Sequence, residues 1–148
     1  MPLDVALMLA AIVLGAIGVG GGLYEALLID RAWPATPQLI QPQRGGIDRK
    51  RFWIPAHTAY ELALVAAAWA SWQTPFARTW ILIALAAHVL TRAWSVVHFI
   101  PAALRFERAG DLDAAQTAAA RAWTRQSLWR IVIEAGAVAA LVWAWVGR

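Results

Sequence analysis

Four long apolar stretches are separated by shorter polar segments along this chain. The pattern predicts helices over about residues 3–29, 54–73, 75–100 and 112–146. A helix needs about 20 apolar residues to cross a hydrocarbon core of about 30 Å, and it satisfies its own backbone polar groups in lipid. The sequence therefore predicts an all-α, single-domain integral membrane protein in which four antiparallel helices form a bundle. The third and fourth helices are expected to extend into the cytoplasm.

Prolines and capping residues indicate where these helices begin and bend. Pro55 lies in the first turn of the second predicted helix, where its missing N–H leaves no hydrogen bond unmade. Thr74 and Pro75 provide an N-cap and a first helical position for the third helix. Pro101 is expected to kink the third helix, and Asp111 is a candidate N-cap for the fourth.

The connection at residues 30–50 is rich in proline and glycine, which predicts a loop rather than a helix. It is longer than a simple connection between helices needs. Two interpretations carry equal weight from the sequence: a lid that folds back over a cavity, or a solvated loop.

The composition supports a membrane protein. The 148 residues are 61% hydrophobic and 15% charged, with a mean hydropathy of +0.54, whereas soluble domains average about 45–50% apolar and about 25% charged residues. The chain has no cysteine, which excludes disulfides and thiolate metal sites. No basic segment of the kind that begins a signal peptide precedes the first apolar stretch, which is therefore expected to remain as a helix.

Lysine and arginine concentrate on one side of the predicted helices. The positive-inside rule places this side in the cytoplasm and both termini outside, and we expect a bacterial inner membrane. The net charge of +4 does not predict nucleic-acid binding, because no basic stripe with base-stacking aromatics lies in an aqueous segment. The cations on the cytoplasmic side are Arg31, Arg44, Arg49, Lys50, Arg51, Arg105, Arg108, Arg121 and Arg125.

Ionisable groups are rare in the outer half of the predicted membrane region and frequent in the cytoplasmic half. Such groups are costly in lipid and usually face a partner or a site. Because the helices alternate in direction, these side chains should converge at one depth and form a polar cavity. His57 and Glu61 are the central pair, since residues four apart share one helix face. The set is Glu25, His57, Glu61, His88, Arg92, His98, Arg130 and Glu134.

Three chemistries fit this set of residues. In acid–base catalysis on a lipophilic substrate, His57 moves the proton, Glu61 sets its tautomer, and Arg92 or Arg130 stabilises a developing oxyanion. In a haem protein, His57 is the axial ligand. A di-metal carboxylate site is disfavoured, because the spacing is not Glu-x-x-His and two arginines lie nearby. The expected substrate-binding residues are Tyr24, Glu25, Tyr60, Trp94, His98 and Glu134.

Each of these side chains also has a structural interpretation. Arg92 and Arg130 could neutralise the glutamates, because buried charges must be paired. His88 is expected to be a lone polar group bonded to a neighbouring helix. The functional interpretation is strongest for His57 and Glu61, because of their proximity.

Three segments resemble the anthrone-oxygenase-like family of small four-helix membrane proteins. They are GGGLYE at Gly20–Glu25, FIPAALRF at Phe99–Phe106 and RAWTRQSLWR at Arg121–Arg130. The resemblance implies oxygenation of an aromatic, polyketide-like substrate. The chain departs from the pattern of this family in the fourth helix, where Ser127 and Leu128 stand in place of a histidine.

A second resemblance is to styrene oxide isomerases, which are also small four-helix membrane enzymes. Ala56-His57 and Trp94-Ser95 match that family at a similar separation. There the histidine is a haem ligand and the iron acts as a Lewis acid on an epoxide, so the resemblance implies haem at His57. Glu61 departs from the pattern, because an asparagine serves the substrate in that family.

The leading hypothesis is a membrane enzyme that oxygenates or isomerises a small lipophilic molecule. The alternatives are a haem-binding membrane protein and a non-catalytic protein that binds a membrane lipid or a partner. Transport is disfavoured, because the two halves of the chain show no convincing inverted repeat. A homo-oligomer is expected from small residues that allow close helix packing: Gly18, Gly22, Ala135, Gly136 and Ala139.

Overall fold

The structure, a computed structural model, describes residues 1–147 and is helical throughout, with no strand among them. This confirms the all-α prediction. The helices are α1 (Leu3–Tyr24), α2 (Asp30–Ala32), α3 (Lys50–Ala70), α4 (Pro75–Trp94), α5 (Ile100–Arg108) and α6 (Ala114–Val146).

Two of the helices continue through a π-helical turn. The turn Glu25–Ile29 joins α1 to α2, and the turn Ser95–Phe99 joins α4 to α5. Each helix then runs on without a break, so that one helical segment covers Leu3–Ala32 and another covers Pro75–Arg108. Because a π turn holds one residue more per turn than its α-helical neighbours, it changes which side chains face the interior.

Three helical segments of residues 1–147 are long and apolar enough to cross a membrane: Leu3–Ala32, Pro75–Arg108 and Ala114–Val146. The sequence pattern predicted four. The exception is α3, whose apolar run is interrupted by His57 and Glu61. His57 and Glu61, the predicted central pair of the site, therefore also lower the mean hydropathy of this helix.

The four long helices pack in a ring. α1 packs against α3 and α6, and α4 packs against the same two helices, with the least extensive contact between α3 and α4. Gly15 permits the close approach of α1, because a Cβ atom there would lie 2.7 Å from Val138 Cγ2 and 3.0 Å from the Tyr60 ring. Gly22 likewise approaches Ile131. Gly18, which the sequence suggested for helix packing, differs: a Cβ there would meet nothing within 4 Å.

Buried apolar side chains form two separate clusters. The first joins the four long helices near the short turn at residues 71–74, and the second lies at the opposite end around α5. The first cluster contains Met8, Ala11, Tyr60, Leu64, Ala67, Ala68, Ala77, Ile81, Ala84, Ala137, Ala140, Leu141 and Ala144. The second contains Ile29, Trp33, Ile40, Phe99, Ala102, Phe106, Ala120 and Trp123.

The long connection is docked onto α5 and is neither a solvated loop nor a lid. Trp33, Ile40 and Gln41 in this connection are fully buried. Gln41 Nε2 donates to the carbonyl oxygens of Phe106 at 3.0 Å and Gly110 at 2.6 Å. The connection folds here because its indole and aliphatic side chains complete the second cluster, while its glutamines satisfy the carbonyl groups at the end of α5.

Replacing Gln41 with alanine is expected to undock this connection. The substitution removes the donor to the Gly110 carbonyl and one of the two donors to the Phe106 carbonyl, at a cost of about 1–3 kcal/mol in the free energy of local unfolding. Hydrogen exchange of the backbone amides at residues 36–47 in detergent would measure the loss of protection. Gln38→Ala is the matched control, because Gln38 is exposed and donates only to the Arg44 carbonyl at 2.9 Å. Equal protection in the two variants would contradict this account.

Two helix ends differ from the predictions. α3 begins at Lys50, four residues earlier than expected, so Pro55 lies inside the helix. The N-cap of α6 is Asp113, whose carboxylate accepts from the Gln116 amide in a capping box. Asp111 instead forms an ion pair with Arg44 at 2.8 Å, because the docked connection brings that guanidinium to it.

Candidate functional site

A cavity of about 310 Å³ lies between the two apolar clusters. Its volume is at the lower end of the range of about 300–1,000 Å³ that is typical of small-molecule sites. Side chains from α1, α3, α4, α5 and α6 line it, and most of them are apolar. Three lining residues are exposed at its mouth, between the beginnings of α3 and α5: Lys50, Ile54 and Ile100.

Six of the predicted site residues line this one cavity, and they come from α1 or its π turn, α3, α4 and α6. The predicted convergence at one depth therefore exists for these residues: Glu25, His57, Tyr60, Arg92, Arg130 and Glu134. Four others do not line it: Tyr24, Glu61, Trp94 and His98.

Glu61 is exposed on the outer side of α3. No hydrogen bond or ion pair joins it to His57, or to any other residue in the range 1–147. The inward face of α3 runs through Tyr60, Leu64 and Ala67, and Glu61 follows Tyr60 by one position, about 100° around the helix. The predicted His57–Glu61 partnership is therefore absent from the structure.

The other three residues outside the cavity have separate environments. Tyr24 is 58% exposed at the end of α1. Trp94 packs edge-on against Phe99, with ring centroids 5.0 Å apart. His98 is exposed, and its Nε2 atom lies 2.9 Å from Gln126 Oε1. The π turn at residues 95–99 explains the last two placements, because it turns Ser95 and Phe99 inward and His98 outward.

The carboxylate of Glu134 is held by a buried histidine. His88 is fully buried, and its Nδ1 atom lies 2.9 and 3.1 Å from the two carboxylate oxygens of Glu134. The Thr91 hydroxyl also donates to Glu134. A hydrogen bond from Nδ1–H to an ionised carboxylate leaves Nε2 of the same imidazole as an acceptor. That Nε2 atom has no partner within the described part of the chain.

His57 lies next to this pair. Its ring stacks on Trp53, with centroids 5.1 Å apart and planes at 22°, and its centroid is 5.6 Å from that of His88. Tyr60 packs edge-on against His88 at 4.7 Å, and its hydroxyl is buried without a hydrogen-bond partner among residues 1–147. Glu134, His88 and His57 thus form a row that ends at the cavity, with a free phenol beside it.

Arg130 is held by neutral groups. Its guanidinium donates to Ser95 Oγ at 3.1 Å and to Ser127 Oγ at 2.7 Å, and it lies over the Phe99 ring at 4.1 Å. Its Nε atom is buried and unpartnered in the described chain. No carboxylate of residues 1–147 approaches it within ion-pair distance, which differs from the structural interpretation that the glutamates neutralise it.

Arg92 lines the cavity and makes neither a hydrogen bond nor an ion pair with residues 1–147. Most acids of the cavity are engaged elsewhere. Glu107 pairs with Lys50 at 3.0 Å and with Arg49 at 3.6 Å. Asp30 accepts a hydrogen bond from the Trp33 indole at 2.9 Å.

The described side chains around the cavity are not arranged as a metal or haem site. Within residues 1–147, no group of three or more histidine and carboxylate side chains is placed to hold a metal ion. A haem on His57 would need a flat slot beside that imidazole. The cavity beside it, at about 310 Å³, is small for a porphyrin. The residues as arranged do not fit haem.

Comparisons with protein-family models, with curated proteins and with solved structures find no match to this chain. The geometry of the cavity is therefore the basis for any statement about function.

Sequence reasoning did not assign a role to several residues that form the site. His88 was expected to bond to a neighbouring helix, and its contact with Glu134 of α6 confirms this; that its ring also lies 5.6 Å from that of His57 was not predicted. Thr91 and Ser95 gave no signal, because hydroxyl groups are common in apolar helices. The π turn at residues 95–99 shifts the spacing of the inward-facing residues and places Ser95 and Phe99 on the inner face. This shift could not be predicted, because a π turn is not recognisable from composition.

Proposed function

We propose that this chain is an integral membrane enzyme that acts by proton transfer on a small lipophilic substrate in the described cavity. One observation carries the proposal. A mostly apolar cavity of about 310 Å³ contains an imidazole, an unpartnered phenol and two guanidinium groups without carboxylate partners. Apolar walls with a few convergent polar groups are typical of small-molecule sites.

His57 is the proposed general base. When its N–H is turned toward the free Nε2 of His88, its other nitrogen presents a lone pair to the cavity. Glu134 holds His88 in the required tautomer and stabilises positive charge that develops on the two imidazoles. This is the role that a buried carboxylate plays behind a catalytic histidine. In this proposal the carboxylate partner of His57 is Glu134, which acts through His88, and not Glu61 as the sequence predicted.

The reaction removes a proton from a carbon atom next to a carbonyl group. The C–H bond breaks, the proton moves to His57, and the electron pair becomes an enolate whose oxygen accepts hydrogen bonds. Arg92, Arg130 or the Tyr60 hydroxyl supplies those donors. Return of the proton to another carbon completes an isomerisation. With dioxygen as co-substrate, the same carbanion would instead add O₂ and give a hydroperoxide, which is the first step of an oxygenation.

The assay uses the purified protein in vesicles with a panel of lipophilic enolisable ketones, anthrone among them, in D₂O. Incorporation of deuterium into the recovered ketone reports proton abstraction, and a change of retention time or a gain of oxygen mass reports the onward reaction. No exchange above the protein-free rate with any member of the panel would refute proton-transfer catalysis.

A visible absorption spectrum of the same sample tests the haem alternative, because a Soret band that is lost in His57→Ala would assign haem there.

The same proposal places the chain in a bilayer as an antiparallel four-helix bundle. α3 would be the fourth span, with His57 and Tyr60 directed to the cavity and Glu61 directed away from it. The cations at the α5 end put both termini outside and the docked connection in the cytoplasm of a bacterial inner membrane. A glutamate in the middle of a membrane span that faces lipid costs about 2.5–3.5 kcal/mol in the free energy of insertion. The exposure of Glu61 therefore supports a homo-oligomer or another partner that covers this side of α3.

Labelling of introduced cysteines would test the orientation. The natural chain has none, so each single variant reports one position. We expect Gln43→Cys and Ala109→Cys to react with a membrane-impermeant maleimide only from the cytoplasmic side, and Gln73→Cys only from the outer side. The reverse pattern would overturn the orientation, and equal reaction from both sides of intact cells would overturn the spanning topology.

A further inference from the structure

The cavity cations that have no partner point to the chemical class of the ligand. The lining contains four cations and four acids, so its formal charge is balanced: Arg49, Lys50, Arg92 and Arg130 against Glu25, Asp30, Glu107 and Glu134. The preference of the site is set by which of these charges are already used.

The acids are mostly committed. Glu134 is bonded to His88 and Thr91, Asp30 accepts from the Trp33 indole, and Glu107 faces the two cations Arg49 and Lys50. Only Glu25 lacks a hydrogen bond or an ion pair among the described residues. Arg92 makes no hydrogen bond or ion pair among these residues and Arg130 bonds only to two serine hydroxyls, so both guanidinium groups of this charge-balanced lining keep N–H donors for a ligand.

Arg130 is prepared to receive an anion. Two serine hydroxyls and the Phe99 ring fix its guanidinium plane without neutralising it. A rigid guanidinium with free N–H groups binds the oxygens of a carboxylate or phosphate through paired hydrogen bonds. Its Nε atom is buried and unpartnered, as is the hydroxyl of Tyr60 in the same lining. Buried donors without partners are costly, so a ligand oxygen that accepts from them removes that cost.

The remaining wall fixes the other end of the ligand. Ile54, Phe99, Ile100, Leu104 and Ile131 are apolar and line the route from the mouth inward. A molecule that matches both ends has a short hydrocarbon or aromatic body and one anionic oxygen group.

We infer that this cavity binds an amphiphile through an anionic oxygen head group held by Arg92 and Arg130, with its apolar body against Ile54 and Ile100. This inference rests on the proposed function and narrows its substrate class to lipophilic acids that also carry an enolisable ketone, whose enolate oxygen then accepts from the Tyr60 hydroxyl. A free fatty or aromatic carboxylate and a lipid phosphate share this chemistry.

The experiment measures binding of cis-parinaric acid and its methyl ester to the purified protein in a neutral detergent. Energy transfer from tryptophan reports both probes, since Trp53 and Trp123 line the cavity. We expect the acid to bind about 10- to 100-fold more tightly than the ester, which is the usual strength of a hydrogen-bonded charge. Arg92→Gln should weaken binding of the acid several-fold, because only Arg130 then holds the head group, and should leave binding of the ester unchanged.

Variants and competitors make the result specific. Arg92→Gln breaks no hydrogen bond or ion pair within residues 1–147, so it carries the test even if Arg130→Gln fails to fold. Arg105→Gln, at an exposed position outside the cavity lining, is the control and should bind like the wild type. Displacement by lysophosphatidate at a lower concentration than by dodecanoate would assign the lipid phosphate, and the reverse order would assign the free carboxylate. Equal binding of acid and ester, or a preference for the acid that is undiminished in Arg92→Gln, overturns the inference but leaves a lipophile-binding cavity. Failure to bind either probe would count against the proposed function itself.

Discussion

Replacing His57 with alanine is expected to lower the rate of proton exchange by about 10²–10⁴-fold, the usual contribution of a positioned general base. His57 is the only histidine among the described residues that line the cavity, and its ring lies 5.6 Å from that of His88. The substitution removes no hydrogen bond within the described chain, so the fold should be retained. Deuterium incorporation into the ketone measures the rate, and an unchanged melting temperature shows that folding is intact.

Glu134→Gln tests the row of residues behind that base. An amide leaves a neutral partner for His88 and no longer stabilises an imidazolium, so the exchange rate should fall by a similar order. Because the two residues act together, the double variant should be little slower than His57→Ala alone. Glu61→Gln is the matched control at an exposed position and should retain the wild-type rate. Loss of exchange in Glu61→Gln with retention in Glu134→Gln would restore the pairing that the sequence suggested.

Filling the cavity from α1 is expected to abolish ligand binding without unfolding the protein. A leucine at Gly18 meets nothing within 4 Å at its Cβ atom and extends into the space that Gly18 lines. Loss of a helical glycine favours the folded state by about 0.5–1 kcal/mol, so the melting temperature should hold or rise. Binding of cis-parinaric acid and its methyl ester should both fall, because the substitution removes volume and not charge.

Two other glycines of the same helix are controls for this variant. Gly20 is also open at its Cβ position but is exposed and does not line the cavity, so Gly20→Leu should bind both probes normally. Gly15 has Val138 and Tyr60 within 3.0 Å of the same position. Gly15→Leu should destabilise the packing by about 1–3 kcal/mol. Normal binding in Gly18→Leu would show that the ligand occupies another site.

The helices could be predicted from the sequence because their signal is local. Long apolar stretches ended by proline and glycine predicted four long helices, and the structure contains them. The ends were less exact, since Asp111 and Asp113 are both acceptable caps by sequence. Which one caps α6 depends on Arg44, an ion-pair partner that lies 67 residues away in the chain.

The site was predicted in part, because convergence at one depth follows from helix direction alone. His57, Arg92, Arg130 and Glu134 were named from their positions in the alternating helices, and all four line the cavity. Helix rotation is a different property and depends on packing against neighbours. Glu61 was predicted to face the interior because it lies four residues after His57. In the structure, the Tyr60 face of α3 packs against Gly15 of α1, and Glu61 is therefore exposed.

The docked connection has a consequence for how a molecule reaches the interior. Trp33, Ile40 and Phe106 fill the end of the protein around α5, and Ile54 and Ile100 are the exposed apolar residues of the described cavity lining. Both side chains are exposed, at 63% and 41%. In the proposed bilayer, a solute dissolved among the lipid tails would enter past Ile54 and Ile100 without first being transferred to water. Occupancy would then follow its concentration in the leaflet, and two solutes of equal aqueous concentration would load the protein in proportion to their oil–water partition coefficients.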